Sequence, residues 1–182
     1  MSIVEKLLTV EEYAQLSLSG PTELVRGEVV ELNRPTAEHG VVCNEVAWIL
    51  NEFVRARKLG RVMTNDAGII TQRNPDSVRG GDVVFLSYQR LAPGPAPKGY
   101  LRVAPEVVFE VRSPSDRWPE ITAKAAEYLS AGVLAVIVLD PEDRTSRVFR
   151  QEEGVIVLEA SQELSLPELH AEFQVPVARF FE

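Results

Sequence analysis

Two apolar runs with a helix-length segment between them constrain the fold of this chain more than any other feature. The first run spans Glu106 to Arg112, and the second, "VLAVIVLD", closes at Asp140. The segment from Pro119 to Ala131 suits a helix, because proline fits a first helical turn and the following Gly132 fits a C-terminal cap. A crossover of this length joins parallel strands, normally by a right-handed connection. The sequence therefore predicts a β-α-β unit.

Shorter patterns predict the elements around this unit. Apolar residues recur at helical spacing from His39 to Lys58, which predicts the longest helix, with its stop at Gly60. The segment from Tyr88 to Pro105 is rich in proline and glycine, so we expect it to be irregular. The other predicted elements are a short helix begun by a Thr9–Glu12 capping box, two strand pieces in Leu24 to Leu32 that turn at Gly27, strand pieces around Val62 and from Ile69 to Thr71, a strand that starts at or just before Asp82, antiparallel strands in "SRVFRQ" and "GVIVLEA", and a terminal helix or docking segment in "PVARFFE". Together they predict an α/β fold with a mixed central β-sheet flanked by helices and an antiparallel C-terminal extension.

Length and composition favour one domain. A chain of 182 residues with 45% hydrophobic content is long enough to bury a sizeable core. We expect residues 1–182 to form a single domain, with an N-terminal helical segment at 1–20 and a C-terminal docking segment at 172–182. No apolar run approaches the roughly 20 residues of a membrane span, and the first residues lack the pattern of a signal peptide. These features predict a soluble, cytoplasmic protein with no membrane association.

Charge and cysteine content exclude further classes of protein. The net charge of −8 argues against binding nucleic acid by bulk electrostatics, although it is compatible with a small basic cleft. The single cysteine, Cys43, excludes an internal disulfide and a cysteine-rich zinc site. Its apolar neighbours favour a buried structural thiol.

Glu110 is the residue that points to chemistry, because it is an acid inside a buried strand. A carboxylate there must be paired, hydrogen-bonded or bound to metal. Asp82 lies at the start of a neighbouring predicted strand, behind a Gly-Gly pair. If the two acids converge, they form an all-oxygen site of the kind that Mg²⁺ or Mn²⁺ prefers. Alternatively, Glu110 pairs with Arg112 on the same strand face, and backbone donors cap Asp82.

Lys124 is the cation that such a site would use. Only four of the 19 lysines and arginines are lysines, so a lysine in the helix after the Glu110 strand is unusual for this chain. It lies next to the apolar face of that helix, from which its stem can reach toward the sheet. Alternatively, it is a surface lysine paired with Glu120 or Glu127 at helical spacing.

Several stretches carry a family resemblance over nearly the whole chain. They are "TELVRGEVVEL", "PTAEHGVV", "GGDVVFLS", "PEVVFEVRSPSD", "AKAAEYLSAGV" and "VIVLDPEDRTSRVFR". This set resembles the Uma-two family, which consists of bacterial proteins of the restriction-endonuclease-like PD-(D/E)XK nuclease superfamily. The resemblance implies a restriction-endonuclease-like fold and a metal-dependent endonuclease that hydrolyses nucleic-acid phosphodiester bonds, most readily those of DNA.

The resemblance also implies roles for individual residues. Asp82 and Glu110 take the two acid positions that hold Mg²⁺ or Mn²⁺, and Lys124 replaces the lysine that the superfamily places two residues after the second acid. That position holds Arg112, which could instead neutralise Glu110. Two further residues match polar family positions: Glu28, as a metal ligand or an exposed strand acid, and His39, as a phosphate or metal contact or a histidine satisfied at the helix start.

The competing hypothesis is a catalytically inactive scaffold of this fold that works as a dimeric protein-binding module. The acidic net charge and Arg112 favour it. In either case we expect a homodimer, because two-fold symmetry is common and paired active sites suit double-strand cleavage.

Overall fold

The computed structural model describes residues 6–182, and it shows a mixed α/β fold built on an eight-stranded sheet. The elements in chain order are α1 (Val10–Tyr13), β1 (Thr22–Val25), β2 (Glu28–Glu31), α2 (Ala37–Arg57), β3 (Gly60–Gln72), β4 (Ser77–Ser87), β5 (Val107–Val111), α3 (Trp118–Ser130), β6 (Ala135–Asp140), β7 (Thr145–Arg150), β8 (Ile156–Leu158), β9 (Glu163–Ser165), β10 (Gln174–Pro176) and a C-terminal 3₁₀ helix (Val177–Phe181). The first five residues of the expected N-terminal segment lie outside the described residues.

The predicted β-α-β unit is confirmed. Strands β5 and β6 pair in parallel through α3, whereas the other pairings in the sheet are antiparallel. The sheet order is β2-β1-β4-β5-β6-β7-β8, with β3 paired to β4 as well. The expected antiparallel extension is β7 with β8. Strands β9 and β10, which we did not predict, form a separate two-stranded sheet.

Each face of the sheet carries its own apolar core. Side chains alternate along β5, so Phe109 and its neighbours at two-residue spacing meet α2, while Val108 packs on the side of α3. The C-terminal 3₁₀ helix buries Phe180 against the α2 core, so this segment docks on its own chain. No helix within residues 6–182 has the length and apolar character needed to span a membrane.

Predicted and observed boundaries agree for α2 but not for β4. Helix α2 runs from Ala37 to Arg57 with Lys58 in the left-handed conformation as its cap, within two residues of the predicted His39 to Lys58, and Gly60 already begins β3. Strand β4 begins at Ser77, so Asp82 lies in the middle of a strand and not at its start. The strand pieces predicted around Val62 and Ile69 also form one long strand, β3, interrupted by a bulge.

Close packing against β3 explains why glycine occurs inside β4, and why the Gly-Gly pair was wrongly interpreted as the start of the strand. A Cβ on Gly80 would come within 2.9 Å of the Asp66 Cβ across the β3–β4 pairing. The Gly-Gly pair therefore permits a close approach within the sheet and does not mark its edge.

Candidate active site

The candidate site lies where β4 changes partners along one edge. Strand β4 pairs with β1 at Val78 and with β5 from Val83 to Phe85. Between these pairings, the backbone of Gly80 bonds to side chains: its N–H donates to Glu23 Oε1 at 2.9 Å, and its carbonyl accepts from Lys124 Nζ at 3.0 Å. The gap between β1 and β5 thus brings side chains from distant parts of the chain to one place.

Glu110 projects from β5 into this gap and meets two residues of α3. Lys124 Nζ lies 3.0 Å from Glu110 Oε2, and the Tyr128 hydroxyl lies 2.9 Å from Oε1. Burial raises the pKa of Glu110 to about 8, although the charge of Lys124 opposes the shift. Tyr128 also lies within hydrogen-bond distance of the Gly80 carbonyl, at 2.8 Å. Because the hydroxyl has one proton, Tyr128 donates to one of these two oxygens at a time.

Lys124 is bound on three sides. Besides Glu110 and the Gly80 carbonyl, its Nζ lies 3.0 Å from Glu23 Oε1. Burial alone would lower the pKa of Lys124, but the two carboxylates raise it above its ordinary value. The ammonium therefore stays charged at neutral pH. The alternative partners Glu120 and Glu127 are not its contacts, since Glu127 binds Arg79 instead.

Glu23 was missed in the sequence, where it immediately precedes the hairpin predicted for Leu24 to Leu32; in the fold it lies in β1. It is 4% exposed, and its Oε2 accepts from Arg79 at 2.9 Å. Burial would raise the pKa of Glu23, but the charges of Lys124 and Arg79 lower it below its ordinary value. Its partners lie 56 or more residues away in sequence, so local pattern gave no signal for its burial.

Asp82 lies on the other side of the cavity, beside the start of α2. Its Oδ2 accepts the Val111 N–H at 2.7 Å and lies 3.3 Å from His39 Nε2. The contact with Asp82 raises the pKa of His39 to about 10. Burial would raise the pKa of Asp82, but His39 lowers it. The predicted helix-start histidine and the first predicted acid therefore form an ion pair.

Asp66 is a second residue that the sequence analysis missed. The β3–β4 register shifts between Thr64 and Ala67, which places a bulge at Asn65 and Asp66 opposite Asp82. Both bulge residues have positive φ, at 67° and 52°. Asp66 is exposed at the bulge, and partial desolvation together with the negative charge of Asp82 raises its pKa. The polar Asn-Asp pair was the available signal, but it indicated only a break between strand pieces.

These side chains share one polar cavity. Its volume is about 340 Å³, and its lining includes His39, Asp66, Asp82, Glu110 and Lys124. A second cavity of about 440 Å³ adjoins it and shares Glu110 and Lys124. The three residues that we predicted as catalytic are therefore brought together in the fold, with an open space beside them.

Comparison with known proteins identifies the family. The family model Uma2, described as "Putative restriction endonuclease", matches residues 10–178. This chain belongs to the Uma2 family. A crystal structure from Anabaena variabilis ATCC 29413, described as "a putative nuclease belonging to DUF820", superposes with a TM-score of 0.82 at 18% sequence identity, covering 96% of this chain and 97% of that chain. No curated protein sequence matches. The resemblance and the restriction-endonuclease-like α/β fold expected from it are thus confirmed.

Arg112 occupies the position at which the superfamily pattern has a lysine, and the structure shows which residues it contacts. Arg112 Nη1 donates to Asp140 Oδ2 at 2.9 Å and lies 3.3 Å from Glu142 Oε2. The predicted alternative, in which Arg112 neutralises Glu110, was wrong because Asp140 on the neighbouring β6 holds the guanidinium. Lys124 takes the place beside Glu110.

Glu28 takes the second of its two expected roles, that of an exposed strand acid, whereas Cys43 departs from its expected surroundings. Glu28 is exposed at the start of β2, in the β1–β2 hairpin, and it is not part of the cavity lining; the acid of this hairpin that reaches the site is Glu23. Cys43 is half-buried, and its Sγ lies 3.4 Å from His39 Nδ1. The thiol is therefore adjacent to the polar site and not enclosed by apolar neighbours alone.

Proposed function

We propose that this Uma2 protein is a divalent-metal-dependent endonuclease that hydrolyses phosphodiester bonds of nucleic acid, with Asp82 and Glu110 as ligands of Mg²⁺ or Mn²⁺ and Lys124 beside them. The observation that carries the proposal is the convergence of these three side chains, from β4, β5 and α3, on one open polar cavity. The family description and the nuclease-like fold of the neighbour support the same class of reaction.

The charges around the cavity fit a cation. Asp66, Asp82 and Glu110 face the same space, and burial together with mutual repulsion raises the pKa of Asp66. Glu110 likewise has a raised pKa of about 8, even with Lys124 in contact. In both groups desolvation is the largest cause of the shift, and the charge of Asp82 adds to it. Carboxylate oxygens are the donors that Mg²⁺ and Mn²⁺ prefer, so the donor set suits a hard divalent ion.

A bound divalent ion supplies neutralisation of phosphate oxygens and a lowered pKa for a water nucleophile. The chain supplies orientation and charge. Because contact with two carboxylates raises the pKa of Lys124, the ammonium stabilises negative charge on the phosphate in the transition state and does not remove a proton. Tyr128 and Lys124 together fix the orientation of the Glu110 carboxylate.

Isothermal titration calorimetry with Mn²⁺ tests the site. We expect wild-type protein to bind Mn²⁺, and Asp82→Asn and Glu110→Gln to lose most of the affinity. Glu120→Gln is the matched control, because it removes an equal charge from an exposed acid in the lining of the same cavity. Binding that is indifferent to Asp82 and Glu110 would reject the metal site.

Nicking of supercoiled DNA in the presence of Mn²⁺ tests the activity. We expect wild-type protein to nick the plasmid and Lys124→Met to be at least about 100-fold slower, since one group that stabilises transition-state charge contributes about 2.7–4 kcal/mol. Lys98→Met, at an exposed lysine, is the control. Metal binding without nicking of DNA or cleavage of RNA would favour the inactive protein-binding scaffold. The predicted homodimer is tested separately by sedimentation velocity.

A further inference from the structure

Three different kinds of metal ligand meet on the α2 side of the cavity. His39 Nδ1 lies 3.4 Å from Cys43 Sγ, and His39 Nε2 lies 3.3 Å from Asp82 Oδ2. One donor atom from each residue can be chosen so that all three lie within 4.8 Å of one another. Among residues 6–182, this is the group of histidine, cysteine and acidic side chains that meets this spacing.

The backbone holds the three donors in place. His39 and Cys43 are four residues apart in the 21-residue α2, so their side chains project from the same face of the helix. Thr36 caps this helix by accepting the His39 N–H at 3.2 Å. Asp82 is oriented by the Val111 N–H from the neighbouring strand. A ligand set on a long helix and a central strand is preorganised, which limits the entropy lost on binding.

The chemistry of these donors differs from that of Asp82 with Glu110. A thiolate and an imidazole are ligands for borderline and soft ions such as Zn²⁺ and Co²⁺, whereas Mg²⁺ takes oxygen donors. Tetrahedral bonds of about 2.0–2.3 Å separate the ligand atoms by about 3.4–3.6 Å. The two short contacts of His39 are made by different nitrogens of its imidazole, at 3.3 Å to Asp82 and 3.4 Å to Cys43, whereas one ion binds one nitrogen. The imidazole must therefore rotate to bring a single nitrogen, Cys43 Sγ and an Asp82 oxygen from within 4.8 Å of one another to this spacing. Binding then releases the imidazolium and thiol protons to solvent.

We propose that His39, Cys43 and Asp82 form a second cation site, selective for a thiophilic divalent ion of the Zn²⁺ class, and that this ion shares Asp82 with the Mg²⁺ site. Three protein ligands leave a fourth position open toward the cavity that His39 and Asp82 line. The consequence for activity rests on the proposed function: since Asp82 serves both ions and their charges repel, Zn²⁺ weakens Mg²⁺ binding and inhibits cleavage.

Co²⁺ absorption spectroscopy tests the site directly. The chain has one cysteine, so a thiolate-to-cobalt charge-transfer band in the near ultraviolet reports on Cys43 without ambiguity. We expect this band at one Co²⁺ per chain, its loss in Cys43→Ser, and strong weakening in His39→Gln. Absence of the band in wild-type protein, or its persistence in Cys43→Ser, overturns the proposal.

A matched variant separates this proposal from the nuclease site. Glu110→Gln removes a ligand of the Mg²⁺ site and leaves the three donors intact, so it should retain the Co²⁺ band. Loss of the band in a folded Glu110→Gln protein would show that the ion uses Glu110, and would overturn the ligand set. A Co²⁺ band in wild-type protein that binds no Mn²⁺ would reject the nuclease site alone.

A second measurement uses unmodified protein, in case Cys43→Ser does not fold. Alkylation of Cys43 by iodoacetamide should be slowed by about tenfold at saturating Zn²⁺ and left unchanged by Mg²⁺, because a thiolate bound to metal is a poor nucleophile. Equal protection by both ions, or by neither, would contradict a thiophilic site. Mn²⁺ titration in the presence of Zn²⁺ then measures the coupling, and an unchanged Mn²⁺ affinity would refute the sharing of Asp82.

Discussion

The carboxylates on the two sides of the cavity are compensated differently. On the α3 side, Glu23 contacts both Arg79 and Lys124, and Lys124 also contacts Glu110. On the α2 side, Asp82 pairs with His39, and Asp66 faces Asp82 across the β3–β4 bulge. The α3 side is thus a hydrogen-bonded network built around two permanent cations, and the α2 side depends on one titratable imidazole.

This difference separates structural from ligand-binding roles within one site. The pKa of Glu23 is lowered because Lys124 and Arg79 stabilise its charge, whereas the pKa of Asp66 is raised by partial desolvation and by the negative charge of Asp82. We infer that the α3 network holds the gap in the sheet open at a defined width. Asp66 carries the less compensated charge of the α2 side, and we propose that this charge helps to attract a cation. Glu110 belongs to both, since Lys124 contacts it and burial still raises its pKa.

Removal of the central cation should have the largest effect on stability. Lys124→Met leaves Glu110 and Glu23 with reduced compensation, and loss of one partner from a buried pair costs about 3 kcal/mol or more. We expect a loss of about 3 kcal/mol in the free energy of unfolding measured by urea denaturation, and no significant loss in Lys98→Met. The double variant Glu110→Gln/Lys124→Met should recover part of the loss. If Lys124→Met were as stable as wild type, the network would not support the fold.

Cation binding should stabilise the protein through the opposite side of the cavity. A ligand at 100 times its dissociation constant adds about 2.7 kcal/mol to the free energy of unfolding. We expect Mn²⁺ to raise the thermal midpoint of wild-type protein and of Glu120→Gln, and to have little effect on Asp82→Asn. A midpoint in Asp82→Asn that rises as much as in wild type would place the ion elsewhere.

The pH dependence of stability should resolve the two sides. A raised pKa in the folded state contributes stability that is present at low pH and is lost as the pH rises through the folded value. For Glu110 this window runs from its ordinary value of 4.5 to about 8, and for His39 from 6.5 to about 10. Each group should account for a decline of at least about 1 kcal/mol, given 1.36 kcal/mol per pKa unit.

Two variants assign the windows. Glu110→Gln should flatten the lower part of the decline in metal-free protein, and His39→Gln should flatten the upper part. Denaturant unfolding at intervals between pH 5 and pH 10 gives both curves. A wild-type stability that rises across this range would show that neither shift has the stated direction.

The part of the site that follows from the sequence is the part with local signals. Glu110 is conspicuous as an acid in an apolar strand, and Lys124 is conspicuous on the helix that must follow it in a β-α-β unit. Their meeting is a consequence of that unit, because α3 packs back on the strand from which it started. The Gly-Gly pair drew attention to Asp82 but obscured its place in the middle of β4, and the family resemblance then gave Asp82 its expected role.

The residues that were missed depend on non-local geometry. Glu23 is buried only because β1 pairs with β4 at a single position, so that a side chain fills the gap that follows. Asp66 enters the site through a bulge with positive φ, which requires the absent side chain of Gly80 across the sheet. Glu28 was the acid of this hairpin that the family resemblance pointed to, but it is exposed at the start of β2. Registers and bulges of this kind are set by the whole sheet and not by local pattern.

The smallest expected effect concerns Asp66, whose replacement should stabilise the metal-free protein and weaken its binding of Mn²⁺. Without metal, Asp66→Asn removes a carboxylate that Asp82 repels, so the free energy of unfolding should rise by about 0.5 kcal/mol, as for other like-charge contacts. With Mn²⁺, the same change removes negative charge from the cavity and should weaken binding several-fold in calorimetry. Asparagine tolerates the positive φ of the bulge, so the backbone is conserved. A variant that is less stable without metal and binds Mn²⁺ normally would show that Asp66 serves the β3–β4 bulge and not the cation.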